Sequence, residues 1–332
     1  MKNYLKKALA VTLALAMLCV TLCGCEKKTD ETQVAYPERK IELVIPFSEG
    51  GASDITARQF AASLEKVLGQ SITCVNKASG GTVEGFEYAL AQESDGYTLF
   101  WLTNSVLMKE AQNAASAKFT ETFEPLLLVA ADLTIIMVKD DSPFQTMEEL
   151  VAYAKDHPGE LTIAGTSPGG FDDYQMTSVA EELGIDITYV PYSGGSEVKA
   201  AVLGNEVDIY QDKIASCLSL MQSGDVRPLA VIADEPITAV PELNGVPTLK
   251  QLGADFAVGP RRGLSVEADI DPQIMDILKK ACVEAYNSAE FQEYLQTNYL
   301  NIRPATEQSL LKETWINEVE SYKPFYIERG LI

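Results

Sequence analysis

The sequence has one histidine and too few basic side chains to balance its acidic ones. His157 precedes Pro158-Gly159, a turn dipeptide, so neither a metal site of several histidines nor a Ser-His-Asp triad is expected. Lys and Arg number 26 against 48 Asp and Glu, a formal net charge of -22. Such a surface repels phosphate backbones and anionic lipid headgroups. We therefore expect no metal, no cofactor and no nucleic-acid partner.

The rest of the composition is that of a folded globular protein. Of the 332 residues, 46% are apolar and 22% are charged, with 22 Gly and 15 Pro. A chain of this length can bury the cores of two domains. Disorder and collagen-like repeats are excluded on composition.

Residues 1–24 have the organisation of a signal peptide. Lysines near the start are followed by the apolar run 8–20, which is shorter than the roughly 20 residues of a permanent membrane-spanning helix. The tetrapeptide Leu22-Cys23-Gly24-Cys25 resembles the lipobox of bacterial lipoproteins, which implies cleavage before Cys25 and lipidation of Cys25. The polar stretch 25–35 is then a tether. The alternative is a plain secretory signal that is cleaved elsewhere.

Three cysteines follow the lipobox, and none of them forms a Cys-x-x-Cys pair. Cys74 lies on a predicted strand, and Cys217 and Cys282 lie on predicted helices. An odd number in an exported protein permits at most one internal disulfide with one thiol left over. Three buried, reduced thiols are the alternative.

Short apolar runs alternate with amphipathic helices along the chain. Strands are predicted at 41–47, 72–75, 97–102, 133–138, 161–164, 187–192 and 207–210, with helices ending at Leu68, opening after Thr146, running through 176–183, ending at Leu203, running from Pro272 towards Tyr299, and starting near Thr306. Thr146 and Glu149 have capping-box spacing. Proline-rich 234–248 is predicted to be a loop. Alternating strands and helices indicate α/β architecture with mainly parallel sheets, in two units.

Three glycine-rich loops each follow a strand and precede a helix. They are 46–54, 165–170 and 192–196. Glycine lets the backbone approach a ligand, and a helix start offers free N–H groups and the positive end of a dipole. Because ligands collect at the carboxyl ends of strands in open α/β sheets, the three loops predict an anion-binding cleft. The alternative is that all three are ordinary turns and helix caps.

The chain resembles the solute receptors of tripartite tricarboxylate transporters, the Bug family. The matching segments, in chain order, are Tyr36-Pro37, Ile45-Pro46-Phe47, Gly50-Gly51, Ser53-Asp54, Leu68-Gly69-Gln70, Asn76, Asp95-Gly96-Tyr97-Thr98-Leu99, Val190-Pro191-Tyr192, Gly194-Gly195, Gly204, Val207-Asp208 and Val226-Arg227-Pro228-Leu229-Ala230-Val231. They cover nearly the whole mature chain. Their order and spacing carry the resemblance, since no single segment is diagnostic.

The resemblance implies a periplasmic-binding-protein-like fold with a ligand cleft between two lobes and no catalysis. Lobe 1 is then 36–133 plus 256–332, and lobe 2 is 134–255. The implied ligand-binding residues are Gly50, Gly51, Ser53, Asp54, Asn104, Thr166, Ser167, Gly169, Gly170, Tyr192, Ser193, Gly194, Gly195 and Asp212. Asp54 is expected to cap its helix rather than touch a carboxylate. The implied partners are a small carboxylate and membrane transporter subunits, for a monomer anchored outside the cytoplasm by its lipid.

Several charged residues depart from the family pattern. Glu49, Asp172 and Asp173 would add up to three negative charges to the cleft, so a zwitterionic or cationic ligand is an alternative to a carboxylate. The three acids could instead face solvent or stabilise the first turn of a helix. Lys213 and the pair Arg261-Arg262 are the cations expected near the cleft. Trp101 is expected in the core below it.

Two other functions fit parts of the same sequence. A ligand-sensing lipoprotein that engages a membrane kinase would need the same binding cleft. An extracellular hydrolase would need a nucleophile and a base, for which Ser53 with Asp54, or Ser167 with Lys213, are the candidates. Neither pair lies in a Gly-x-Ser-x-Gly motif.

Overall fold

Two five-stranded sheets organise the chain in the computed structural model, which describes residues 34–166, 168–192, 194–300 and 311–332. The predicted signal peptide, Cys25, most of the tether, Ser167 and Ser193 lie outside the described residues. So does the predicted helix start near Thr306. Within the described part, no helix is both long enough and apolar enough to cross a membrane.

Strands and helices alternate as the sequence predicts. The strands are β1 Ile41–Ile45, β2 Ile72–Asn76, β3 Thr98–Thr103, β4 Phe123–Ala131, β5 Thr134–Lys139, β6 Thr162–Thr166, β7 Thr188–Tyr192, β8 Ile209–Lys213, β9 Val226–Ile232 and β10 Arg261–Glu267. The helices are α1 Ala52–Leu68, α2 Val83–Leu90, α3 Asn104–Ala111, α4 Phe119–Thr122, α5 Met147–Asp156, α6 Phe171–Leu183, α7 Gly195–Leu203, α8 Ile214–Ser223, α9 Pro272–Tyr286, α10 Ala289–Thr297 and α11 Leu311–Glu328. Three short 3₁₀ turns occupy Ser79–Thr82, Pro241–Leu243 and Lys250–Leu252.

The two sheets have the same plan. The first sheet has the order β2-β1-β3-β10-β4, and the second has the order β7-β6-β8-β5-β9. In the first, β1 pairs in parallel with β2 and β3, whereas β10 is antiparallel to β3 and β4. In the second, β6 pairs in parallel with β7 and β8, whereas β5 is antiparallel to β8 and β9. The α/β fold is confirmed, and four of the five strands of each sheet run in the same direction. Because one antiparallel strand lies inside each sheet, two of its four neighbouring pairs are parallel and two are antiparallel.

The chain passes from one sheet to the other twice. It crosses between β4 and β5, where two residues join the sheets, and again between β9 and β10. The predicted lobe boundaries at 133/134 and 255/256 fall in these two connections and stay a prediction. The C-terminal helix α11 contacts both halves, since Tyr322 bonds to Asn104 before β4 and Tyr326 donates to the Gly169 carbonyl after β6 at 2.9 Å.

Several boundaries differ from the sequence prediction for local reasons. The predicted helix from Pro272 to Tyr299 is two helices, because Ser288 starts a new one by accepting the Phe291 N–H. The N-cap bond of the predicted capping box is present, with the Thr146 side chain accepting the Glu149 N–H, while the Glu149 carboxylate accepts the N–H of Gln145, one residue before the N-cap. The edge strand β4 was not predicted.

Core positions follow the apolar pattern. Trp101 is fully buried, as expected. All three described cysteines are free thiols, so the disulfide alternative is wrong for them. Cys217 and Cys282 are buried as predicted, and burial raises the pKa of the Cys217 thiol to about 12. Cys74 is only half-buried, so the prediction of a third buried thiol is wrong.

Candidate functional site

A cavity of about 790 Å³ lies between the carboxyl ends of strands from both sheets. We call it the main cavity. Its walls come from the segments that follow β1, β3, β6, β7 and β8, and from the start of β10. This is the position at which open α/β sheets collect their ligands.

The loop after β1 is held in shape by a buried carboxylate. Gly50, at φ +77°, donates its N–H to Asp54 Oδ2 at 2.9 Å, and Gly51 is the N-cap of α1. Asp54 also accepts hydrogen bonds from Arg58 and Asn76, at 2.9 and 2.8 Å. Burial raises the pKa of Asp54, but these hydrogen bonds outweigh burial and the pKa lies below its ordinary value. Asp54 thus fixes the loop and does not line the cavity.

The loop after β6 repeats this arrangement in the second sheet. Gly169, at φ +70°, donates its N–H to Asp173 Oδ2 at 2.9 Å, and Gly170 is the N-cap of α6. Asp173 is buried, and Arg329 lies 3.5 Å from its carboxylate. The two loops share the sequence Gly-Gly-x-x-Asp, at 50–54 and 169–173. Sequence reasoning noted the glycines but missed this common spacing.

In the part of the chain that the structure describes, five helices begin at the main cavity, and none of their N-cap residues provides a side-chain cap. Their N-caps are Gly51 (α1), Thr103 (α3), Gly170 (α6), Gly194 (α7) and Lys213 (α8). Three helices that start elsewhere, α5, α9 and α10, each have a cap from Thr146, Asp271 or Ser288. The helices α2 and α4 also start elsewhere, and their N-cap residues give no side-chain cap. The first N–H groups of an α-helix have no partner within it. In α8 the first N–H, that of Ile214, donates to the Leu133 carbonyl at 3.1 Å, so α1, α3, α6 and α7 are the helices at the cavity that leave their first N–H groups for another acceptor.

Most residues named from the sequence lie on the main cavity or directly behind it. Those that line it are Gly51, Ser53, Asn104, Thr166, Gly170, Gly195 and Asp212, together with Asp172 and Lys213. Those that do not are Gly50, Asp54, Gly169, Tyr192, Gly194, Glu49 and Asp173. Ser167 and Ser193 are outside the described residues. The ligand contacts of all these residues stay predictions.

Both polar atoms of the Asn104 side chain form hydrogen bonds within the protein. Its oxygen accepts the Arg261 N–H at 2.6 Å, and its nitrogen donates to Glu318 and to Tyr322, each at 3.0 Å. Burial raises the pKa of Glu318, while Arg261 and the hydrogen bonds from Tyr322 and Asn104 oppose that shift. Asn104 thus joins α3, β10 and α11, and the part of it open to a ligand is its backbone at the start of α3.

Of the three acids that depart from the family pattern, only Asp172 lines the main cavity. The Glu49 side chain is 82% exposed and lies 4.0 Å from Arg58. The Asp173 carboxylate accepts the Gly169 N–H in the loop after β6. Asp172 lies 3.5 Å from the Lys213 ammonium group. Burial lowers the pKa of Lys213, but the carboxylates of Asp172, Asp212 and Asp132 outweigh it, so the ammonium group is charged at neutral pH.

The other cations on the main cavity also have partners. Arg262 is buried and lies 2.6 Å from Asp132, and Arg261 pairs with Glu318. Lys199 donates to the Ser216 carbonyl at 2.7 Å. Lys199 and Ser216 both line the cavity, yet sequence reasoning missed them because they lie one turn into their helices.

Two buried polar atoms of the cavity lining lack a hydrogen-bond partner among the described residues. They are Thr103 Oγ1 and Gln211 Oε1. Buried polar groups are almost always hydrogen-bonded, so these two atoms mark places where a ligand or water would bind. Within the described part of the chain, no group of three or more His, Cys, Asp or Glu residues could hold a metal ion.

A family model described as the tripartite tricarboxylate transporter family receptor, TctC, matches residues 56–331. The chain belongs to this family. Protein BugT of Bordetella pertussis is 27% identical to it over 258 residues, which cover 76% of this chain and 78% of BugT. The receptor is therefore a solute-binding protein of the tripartite tricarboxylate transport system and not an enzyme.

Solved structures show the same fold. A TctC solute binding protein from Polaromonas superposes with a TM-score of 0.78 at 23% identity, covering 88% of this chain and 99% of that one. MatC from Rhodopseudomonas palustris, with bound malate, superposes with a TM-score of 0.69 at 23% identity, covering 87% and 99%. The predicted two-sheet binding-protein fold is confirmed.

Membership of a receptor family argues against the hydrolase alternative, and so does the position of Asp54 relative to Ser53. Asp54 directs its carboxylate to Gly50, Arg58 and Asn76, so it is not positioned as a base for Ser53.

Proposed function

We propose that the receptor binds a small carboxylate in the main cavity and holds it through the first N–H groups of the uncapped helices α1, α3, α6 and α7. The observation that carries this proposal is that four helix starts with free first N–H groups meet at one cavity. Each helix N-terminus carries about half a positive charge in addition to its free N–H groups. Several such termini around one cavity favour an anion.

The charges of the lining support a carboxylate more than a cation. Asp172 is compensated by Lys213, and Asp212 accepts hydrogen bonds from the Tyr210 hydroxyl and the Lys213 N–H, both at 2.7 Å. Arg261 and Arg262 are each balanced by an acid. Since the side-chain charges are largely paired, the helix termini set the sign of the potential that a ligand meets. The malate bound by MatC is a carboxylate of the same class.

Binding would draw the two sheets together around the ligand. The lining residues come from both sheets, so a ligand that contacts both stabilises the closed arrangement. We propose that a transporter in the membrane recognises this closed form. The receptor would be a monomer with lobes 36–133 plus 256–332 and 134–255, tethered through residues 25–35 by lipid on Cys25. Sensing for a membrane kinase would use the same closure, and pull-down from membranes distinguishes the two partners.

A ligand screen tests the carboxylate proposal. The lipid-free chain from residue 26 onwards is heated with di- and tricarboxylates, amino acids, aromatic acids or polyamines. Ligand at about a thousand times its dissociation constant adds roughly 4 kcal/mol to the free energy of unfolding, so binding raises Tm by several degrees. We expect a shift with one class of carboxylates. A response to polyamines alone would overturn the proposal.

The lipid anchor needs a separate measurement. Metabolic labelling with an alkyne fatty acid should mark the wild-type protein in its native host, and Cys25→Ala should abolish the label. Labelling that persists in the variant would contradict the assignment of Cys25.

A further inference from the structure

A second cavity of about 390 Å³ adjoins the main cavity. We call it the side cavity. The two share Phe47, Ser48, Ser105, Gly170 and Phe171 as lining residues. The shared residues come from the loop after β1, the first turn of α3 and the start of α6. A ligand held in the main cavity can therefore extend into the side cavity between Phe47 and Phe171.

The side cavity differs from the main cavity in chemistry. Pro46, Met108 and Tyr326 contribute apolar surface, and both Met108 and Tyr326 are buried. Its cation, Lys109, donates to Gln112 at 2.8 Å. The side cavity holds no aspartate or glutamate among its described lining residues. Ser48, Ser105, Thr82 and Gln112 add polar groups to this lining, so the side cavity suits a largely apolar group that can end in a polar atom.

The junction of the two cavities presents aromatic rings from both halves of the protein. Phe47 follows β1 of the first sheet, and Phe171 opens α6 beside the second sheet. Both are half-buried, so each keeps ring surface accessible. Aromatic side chains prefer offset or edge contacts with another ring. Two rings on opposite sides of an opening can enclose an aromatic or alkyl group that passes between them.

A strained residue also lines the side cavity. Thr82 has φ +89°, a backbone region that a β-branched residue rarely occupies. Its side chain is buried, and its Oγ1 has no hydrogen-bond partner among the described residues. Strain and an unpaired buried hydroxyl together are more typical of a ligand site than of ordinary packing.

We propose that the side cavity is a subsite for an apolar or aromatic substituent of the ligand, whose carboxylates remain at the helix starts of the main cavity. This inference rests on the proposed function and narrows the substrate to carboxylates that carry such a substituent. Phe47 and Phe171 contact the substituent where it leaves the main cavity, and Met108, Tyr326 and Thr82 surround its far end.

The test compares two probes and two tryptophan variants. Succinate and 2-benzylsuccinate carry the same two carboxylates, and only the second has a group for the side cavity. Ala78 is exposed on the rim of the side cavity, so Ala78→Trp places an indole there without altering the core. Ala91→Trp is the matched control, since Ala91 is also exposed, has similar backbone angles and lines neither cavity.

Isothermal titration calorimetry measures the dissociation constant of each probe for wild type and for each variant. We expect wild type and Ala91→Trp to bind 2-benzylsuccinate at least about tenfold more tightly than succinate, because the benzyl group loses contact with water. In Ala78→Trp that preference should disappear while succinate affinity stays within about twofold of wild type. Equal affinity of wild type for the two probes, or an unchanged preference in Ala78→Trp, would overturn the subsite and leave the carboxylate proposal standing. Binding of neither probe by wild type overturns the subsite, whereas the carboxylate proposal is decided by the broader screen.

Discussion

Removing a single N–H group from the main cavity, without removing a side chain, tests how the ligand is held. Ala52 is the first residue of α1, is exposed and lines the cavity. Proline is favoured at the first helical position, since its missing N–H has no partner inside the helix. The preceding Gly51 has φ -74° and ψ 163°, the extended conformation that a following proline requires. Ala52→Pro should therefore fold normally.

The same substitution can be made at a helix that starts away from the cavity. Ala289 is the first residue of α10, is exposed and follows Ser288 with φ -62° and ψ 141°. The Ser288 cap accepts the N–H of Phe291, which Ala289→Pro leaves in place. A compatible proline changes the free energy of unfolding by roughly 0.4–1 kcal/mol in the stabilising direction. We expect both variants to match or slightly exceed wild-type stability.

The expected loss of affinity follows from the hydrogen bond that Ala52→Pro removes. A hydrogen bond to a charged group contributes about 1.5–3 kcal/mol. Because about 1.4 kcal/mol corresponds to a factor of ten, the carboxylate found in the screen should bind Ala52→Pro about tenfold or more weakly. The free N–H groups of α3, α6 and α7 still face the cavity, so binding should weaken rather than vanish. Ala289→Pro should bind like wild type.

Calorimetric titration measures the affinity of each variant for the ligand, and urea unfolding measures its stability. Wild-type affinity in Ala52→Pro would show that the start of α1 does not bind the ligand. Equal weakening in Ala289→Pro would mean that proline acts through the fold, and the reasoning from helix termini would fail.

Three further predictions concern the acids and one glycine of the two loops. Folding lowers the pKa of Asp54, so its carboxylate stabilises the fold above the ordinary pKa of about 3.9 and loses that effect as pH falls through the folded pKa. The urea midpoints at pH 6 and pH 3 should therefore differ less in Asp54→Asn than in wild type. An equal difference in the two proteins would refute this. Asp172→Asn should tighten carboxylate binding several-fold, measured by calorimetric titration, without loss of stability. Asp173→Asn should mainly lower the urea midpoint, because the buried Asp173 carboxylate holds the Gly169 loop. The reverse pattern would contradict the placement of Asp172 on the cavity and of Asp173 in the loop. Gly165→Ala should destabilise by about 1–3 kcal/mol, because its Cβ would lie 2.3 Å from the Tyr189 hydroxyl; an unchanged midpoint would show that the ring moves freely.

Much of the fold was predictable because the signals are local. The capping box at Thr146 and Glu149 and the Asp271-Pro272 helix start depend on neighbours within one turn, and both are present. Buried parallel strands such as β1 appear as mainly apolar runs, so they were found. The apolar edge strand β4 was not predicted, and the break at Ser288 was missed because the apolar spacing continues on both sides of it.

The candidate site was predicted where glycines and helix starts mark it, and missed where only packing determines it. The loops at Gly51, Gly170 and Gly195 follow strands in the sequence, and the carboxyl ends of strands meet at one edge of a sheet. Lys199, by contrast, lies inside a helix whose orientation to the second sheet is a tertiary property. Its place on the cavity has no local signal.

The sequence by itself determined the alternation of strands and helices and the loops that end at the cavity, because each is encoded in residues close together in the chain. It also determined the family, through the order and spacing of short segments along nearly the whole mature chain. Only the tertiary structure decided which charges meet a ligand. Glu49 lies in the loop before α1 and Asp172 in the first turn of α6, each near a glycine pair, yet one is exposed to solvent and the other lies 3.5 Å from Lys213. That difference depends on residues distant in sequence, since the field at a carboxylate is set by whatever the fold brings within a few ångströms.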